Sequence, residues 1–234
     1  MKIVRLTAMV ASLLMAAAVP AVAQDSGASE IVVTASLRNY DATETPHVAL
    51  RRRADNLITE VKVVCDTRDL SQRQEELKST LRAMIKAAGP GSGIELGLGD
   101  EVVGRFDASM LDAVIRPDVK ADTSYAVVVV KTRVLPADTF DSATARITAF
   151  IDKAPKVGRT EILRRSDWNL TLIGPERYRG DIIGLIAADA RRSATAFGEG
   201  YGVSVEGLQL PISWYQSGPL ELALYIPYRQ RVER

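Results

Sequence analysis

Tyr125-Ala126-Val127-Val128-Val129-Val130-Lys131-Thr132-Arg133-Val134 is the stretch on which the fold turns. Four successive valines are stiff at χ1 and suit a pleated backbone better than a helix. A near-continuous apolar run of this length predicts a strand buried on both faces, at the centre of a sheet. Working outward, Leu57 to Cys65 alternates: Leu57, Thr59, Val61, Val63 and Cys65 point one way, and Ile58, Glu60, Lys62 and Val64 the other. Period two marks a half-buried strand. Cys65 falls on its apolar side and reads as a buried structural thiol. Further strands are expected at Ile94–Leu98, Glu101–Phe106, Glu161–Leu163, Trp168–Ile173, Val203 to the Leu208–Leu210 region, and Leu220–Ile226, where Pro227 marks an end or an edge.

Between these strands lie three long stripes at helical spacing. The first is capped by Asp69 or Ser71 and runs Leu70, Leu77, Leu81, Met84, Ile85 and Ala88, with Arg73, Glu75, Glu76, Lys78 and Arg82 on the remaining face. Its five large apolar side chains contribute about 7–15 kcal/mol on burial, against roughly 1–2 kcal/mol for each ordered backbone residue. Such a helix must therefore lie on a sheet. Gly89-Pro90-Gly91-Ser92-Gly93 ends it. The second helix is capped by Asp138 or Thr139 and presents Phe140, Ala143, Ile147, Phe150 and Ile151. The third opens at Pro175, runs Tyr178, Ile182, Ile183, Ile186, Ala187, Ala190, Ala194 and Phe197, and closes at Gly198. Asp107 to Asp122 reads as a helical turn over Ala108–Ile115 followed by a loop. Helices alternate irregularly with pairs of strands. That order predicts an α+β fold: a mixed or antiparallel sheet with long amphipathic helices packed on one face, ahead of a doubly wound parallel sheet.

The domain organisation follows from the N-terminus. Lys2 and Arg5, the apolar run Leu6 to Val19, Pro20 and Ala21-Val22-Ala23 have the form of a secretory leader over residues 1–23. The apolar run is shorter than the ~20 residues a spanning helix needs. Residues 24–52 read as a flexible segment and linker, and 53–234 as the folded domain. Export then places the protein in the periplasm, free or peripheral to the outer membrane, with no transmembrane span in the mature chain. Without the leader, 28 cations face 29 acids. So near-neutral a chain lacks the field of a nucleic-acid binder. One Cys and one His exclude an intramolecular disulfide and a Cys/His metal cluster.

Little else carries chemistry. His47, the single histidine, lies in the linker beside Pro46, where no fixed geometry is expected; an uncharacterised periplasmic hydrolase using it is a lesser alternative. Asp100, Glu101, Asp107, Asp112, Asp118 and Asp122 read as a solvated acidic loop rather than a Ca²⁺ site. Gly198-Glu199-Gly200-Tyr201-Gly202 follows a helix and precedes a strand, the reverse of a dinucleotide loop, and Gly89–Gly93 carries no P-loop lysine. No catalytic, metal or cofactor-binding residue is expected. Trp214, Tyr215, Tyr225 and Tyr228 are the candidate contact residues, because aromatics anchor interfaces.

Two resemblances add to this. Glu30-Ile31-Val32-Val33-Thr34-Ala35 resembles the TonB box of outer-membrane receptors, which pairs as an added strand with an energy-transducing partner. The match covers six residues, and 211 mature residues cannot supply a receptor's 22-strand barrel at about 10 residues per strand. Val61-Lys62-Val63-Val64-Cys65-Asp66-Thr67-Arg68-Asp69 with the Ser71–Ala88 helix, and Ala187-Ala188-Asp189-Ala190-Arg191-Arg192-Ser193-Ala194 with Gly198–Val203, are similar to the SIMPL-domain family of exported bacterial proteins. The likeness spans roughly Arg53 to Val232, although Gly99–Ser124 and Tyr201–Pro219 depart from it. It implies an exported α+β domain, in some members assembled into rings, and carries over no catalytic residue. The resulting expectation is a non-catalytic envelope protein, a homo-oligomer with a possible envelope protein partner. A TonB-linked accessory protein of the outer membrane is the alternative.

Overall fold

The computed structural model describes residues 48–100 and 102–234, together with the backbone of 30–33. The leader over 1–23, Thr34, Ala35, His47 and Glu101 lie outside the described residues. Two ten-residue strands form the centre: β3 (Asn56–Cys65) and β7 (Ser124–Arg133) pair antiparallel, from Asn56 opposite Arg133 to Cys65 opposite Ser124. With β1 (Glu30–Val33), β4 (Ile94–Leu98), β5 (Gly104–Arg105) and β9 (Asn169–Ile173) the order is β1-β9-β3-β7-β4-β5. A short β6 (Arg116–Pro117) joins β7, and β8 (Thr160–Arg164) joins β3 beyond β9. Every pairing among the described strands is antiparallel. The fold is α+β, and the doubly wound alternative is overturned.

The alternation in β3 sorts the two faces. Leu57, Thr59, Val61, Val63 and Cys65 are buried, as are Ala126, Val128, Val130 and Thr132 of β7. Helices α1 (Leu70–Ala87) and α3 (Phe140–Lys153) pack on these strands. The valine run is not buried on both faces. Tyr125, Val127 and Lys131 are half-buried, because both helices lie on the same side. Only Val129 on the far side is buried, in a small cluster with Ile58 and Val103. Elsewhere on that side Lys62 lies over the Tyr125 ring at 4.5 Å and pairs with Asp118 at 2.6 Å.

Asp69 caps α1 by accepting the Gln72 N–H at 2.7 Å. Leu77, Thr80, Leu81 and Met84 are buried, but Leu70, the first residue of the helix, is 54% exposed. Arg73 and Glu76, placed by their charge on the solvated face, are buried. Helix α3 begins with a reciprocal capping box between Thr139 and Ser142. Thr139→Ala should therefore lower the urea midpoint, at unchanged slope, by the equivalent of about 1 kcal/mol. Asp138 serves differently: it accepts the Leu135 N–H at 2.8 Å and holds Arg146 at 2.6 Å. The region 107–122 forms a 3-10 turn (Ala108–Met110), a one-turn α2 (Leu111–Val114) and β6.

A 3-10 turn over Pro175–Tyr178 leads into α4 (Arg179–Phe197), and Gly198, at φ 102°, ends it. Ile182, Ile186 and Ala190 are buried, but Phe197 is 58% exposed and its ring packs on Tyr201. Two small sheets complete the chain. β10 (Gly202–Glu206) pairs with β13 (Arg229–Glu233), while β12 (Glu221–Tyr225) lies between β11 (Ser213–Gly218) and β2 (Leu50–Arg53). Leu50–Arg53 thus corrects the linker reading, and Val48 is already buried. An edge strand tolerates the exposed Arg51, Arg52 and Arg53. Leu208–Leu210 is a turn rather than part of a strand.

Candidate functional site

Among the described residues, the backbone of Glu30–Val33 is the last strand at one end of the large sheet, with β11 of the small sheet close to it. It pairs antiparallel with β9: Glu30 with Ile173, Ile31 with Leu172, Val32 with Thr171, and Val33 with Leu170. The hydrogen-bonding direction of each residue follows from β9. Thr171 turns its carbonyl toward the Asp55 N–H (3.0 Å), and Ile173 gives its N–H to the Asp55 carboxylate (2.8 Å), both on the β3 side. Successive residues of a strand point their backbone groups to opposite edges. Leu170 and Leu172 therefore face β1 and engage Val33 and Ile31. Glu30 and Val32 direct their backbone groups outward, where no described strand pairs with them. This is a row of donors and acceptors of the kind that templates a further strand.

The four candidate aromatic residues are all half-buried. Trp214 and Tyr228 pack against the main core. Burial pushes the Tyr228 phenol above its usual range, helped by the nearby Asp189, and Gln230 links the two by donating to both. Tyr215 and Tyr225 come together on the small sheet, ring centroids 6.1 Å apart and tilted by 54°. The structure thus divides the set: Trp214 and Tyr228 pack on the core, and Tyr215 and Tyr225 pack on each other.

The strongest concentration of polar chemistry is one that the sequence reading missed. At the end of β3 and under the first turns of α1, the Glu76 carboxylate accepts four hydrogen bonds. The donors are the Thr67 hydroxyl (2.6 Å), the Gln72 amide (2.8 Å), the Arg159 backbone N–H (3.1 Å) and the Cys65 thiol (3.2 Å). These hold its pKa down at about 2, the Thr67 hydroxyl contributing most. Arg159 is itself fixed by a two-pronged bond to Asp66, at 2.7 and 3.1 Å. One turn earlier on α1, buried Arg73 donates to the carbonyls of Thr67 (2.6 Å) and Arg68 (3.0 Å) and to the Ser124 hydroxyl (3.0 Å). Two buried charges thus tie β3, α1, β7 and the 157–159 turn together. In this arrangement Cys65 is a proton donor to a carboxylate, and its partners fix the fold. Only the spacing of Arg73 and Glu76 from Leu77 and Thr80 hinted at burial, and their charge argued the other way.

No family model matches the chain, and no curated protein matches it.

Among the described residues no group of three or more His, Cys, Asp or Glu is placed to hold a metal ion. The acids of the 100–122 stretch have separate roles: Asp107 caps a 3-10 turn through the Ser109 N–H at 2.8 Å, Asp112 pairs with Lys78 at 2.5 Å, and Asp118 holds Lys62. No helix among the described residues is long and apolar enough to cross a membrane.

Proposed function

We propose that the protein is a non-catalytic, SIMPL-like component of the bacterial cell envelope, exported to the periplasm, that acts by joining copies of itself edge to edge. The observation that carries this reading is the seating of Glu30–Val33 as the last strand of the large sheet, with the backbone groups of Glu30 and Val32 turned outward. A sheet that takes an extended tail on one edge presents the next edge to a second copy, and pairing about a two-fold axis is self-complementary. The half-buried Tyr215–Tyr225 pair is a further candidate contact element on the same molecule. The leader-like N-terminus and the likeness to exported SIMPL domains support the address.

Light scattering on the chain beginning at Gln24 should give a dimer or larger species at tens of micromolar. Val32→Pro removes an outward N–H and should leave a monomer of unchanged thermal stability, since proline is tolerated at such an edge position. Ile31→Pro removes an N–H directed at β9 and should lower stability. A monomer at every concentration for the unaltered chain would refute assembly. The outward backbone groups of Glu30 and Val32 also favour a second reading, a TonB-type partner. A monomer that forms a one-to-one complex with the TonB C-terminal domain, lost in Val32→Pro, would select it.

A further inference from the structure

The strand Glu30–Val33 is joined to the sheet by few bonds and to the rest of the chain by a tether. Ile31 and Val33 exchange backbone hydrogen bonds with Leu172 and Leu170, while Glu30 and Val32 turn theirs away from β9. Residues 34–47 then separate the strand from Val48, which is buried in the main core. The acceptor is firm by comparison. Leu170 and Leu172 have their side chains in that core. Thr171, between them, is buried and is held from the opposite side: its hydroxyl accepts from the Asn56 amide at 3.1 Å and its carbonyl from the Asp55 N–H at 3.0 Å. Ile173 gives its N–H to the Asp55 carboxylate. The outer edge of β9 is thus fixed from its inner side. Such a row of positioned donors and acceptors takes an extended strand that presents its own in register.

A strand held on a short tether faces its partner edge at an effective concentration of about 1 mM. The seating of β1 therefore means that the free segment binds β9 with a dissociation constant of roughly 1 mM or tighter. A second polypeptide of the same pattern meets the same edge and differs only in having to displace β1. The register states that pattern. Residues at two alternate positions pair with Leu172 and Leu170, and the one between them lies opposite Thr171. Extended backbone is favoured by β-branched side chains, which Ile31, Val32 and Val33 all carry. Proline at either alternate position removes a donor. We propose that the outer edge of β9 is a binding site for an extended, β-branched segment of another polypeptide, and that Glu30–Val33 is its displaceable occupant. The site lies beneath β1 and is distinct from the outward groups of that strand on which self-assembly rests, so it stands whether or not copies join.

Fluorescence polarisation tests it, with a labelled peptide of residues 26–37 titrated by the chain beginning at Gln24 up to about 1 mM. Ile31→Pro in the chain removes an N–H that seats β1 and should raise peptide affinity at least threefold. Val33→Pro, at the other bonded pair, should do the same and decides alone if Ile31→Pro does not fold. The converse variant fastens β1 down. Glu30 lies opposite Ile173 without exchanging hydrogen bonds, a pairing that brings Cα atoms to about 4.5 Å, within disulfide reach. Glu30→Cys with Ile173→Cys should, once oxidised, abolish peptide binding, and reduction should restore it. Cys65 is buried and does not compete for the new pair. The expected result is the gain in either proline variant together with the loss in the oxidised one. A gain below threefold in both proline variants, or binding retained by the oxidised form, overturns the proposal. Retained binding that is lost in Val32→Pro assigns the peptide to the outward groups of β1 instead, which separates failure of this site from failure of the edge used in assembly.

Discussion

Glu76→Ala is expected to lower the unfolding free energy by about 3–4 kcal/mol, a fall in melting temperature of roughly 10 °C. The carboxylate is the common acceptor for the Thr67 hydroxyl, the Cys65 thiol, the Gln72 amide and the Arg159 N–H. A hydrogen bond to a charged group is worth about 1.5–3 kcal/mol, and four to one group do not add fully. The larger penalty comes from what remains: Thr67 and Cys65 are buried and lose an acceptor that water does not readily replace. Glu76→Gln keeps the shape and one carbonyl acceptor, so it should cost less, and its cost should depend on pH. The folded pKa of Glu76 is about 2, below an ordinary value of 4.5. A depressed carboxylate contributes stability above its unfolded pKa and loses it as pH falls through the folded one. At about 1.36 kcal/mol per unit, that contribution is of the order of 3 kcal/mol at neutral pH. It should fade between about pH 4.5 and pH 2. Urea midpoints of the two proteins should therefore converge as pH is lowered through that window. A gap at pH 2.5 as wide as that at pH 7 would show that the carboxylate's charge is not what the cluster uses.

Why this cluster escaped a reading of residues, while the sheet did not, has a physical basis. Strands β3 and β7 were legible because their buried faces are mostly hydrocarbon, and hydrocarbon announces burial by alternation. The caps at Asp69 and Thr139, the end at Gly198 and the stripes Leu77–Leu81–Met84 and Ile182–Ile186 were legible for the same reason: each depends on neighbours within a turn or two. Arg73 and Glu76 lie on the buried arc of α1 too, but their burial depends on partners contributed by Thr67, Ser124 and Arg159. Nothing local marks such partners. Leu50–Arg53 shows the complementary difficulty. Its three arginines look like loop until Glu221–Tyr225, some 170 residues later, provides a strand beside them. The valine run was read as covered on both faces because a sequence states how apolar a strand is, not how many helices are available to cover it. Of the residues proposed for partner contact, Trp214 and Tyr228 meet the protein's own core, where an aromatic side chain serves equally well.

Gly158→Ala should be costly in the unaltered protein and much milder once Glu76 has been removed. Gly158 has φ +60°, and a methyl group built on it would land within the Glu76 carboxylate. Two penalties follow. The left-handed backbone costs an alanine roughly 1–2 kcal/mol. The collision adds the larger part, since Glu76 cannot move aside without leaving its donors, and the 157–159 turn cannot move without pulling Arg159 from both Glu76 and Asp66. We expect about 3 kcal/mol in total for the single change. In a Glu76→Ala background the methyl group meets open space where the carboxylate stood, and only the backbone term of about 1–2 kcal/mol persists. The double variant should then be more stable than the sum of the two single effects predicts, by about 1–2 kcal/mol, within the range found for residues in contact. Chemical denaturation of the four proteins at pH 7 measures this. Strict additivity would mean that the turn and the helix relax independently, and that the carboxylate is not the point at which β3, α1 and the 157–159 turn are fastened to one another.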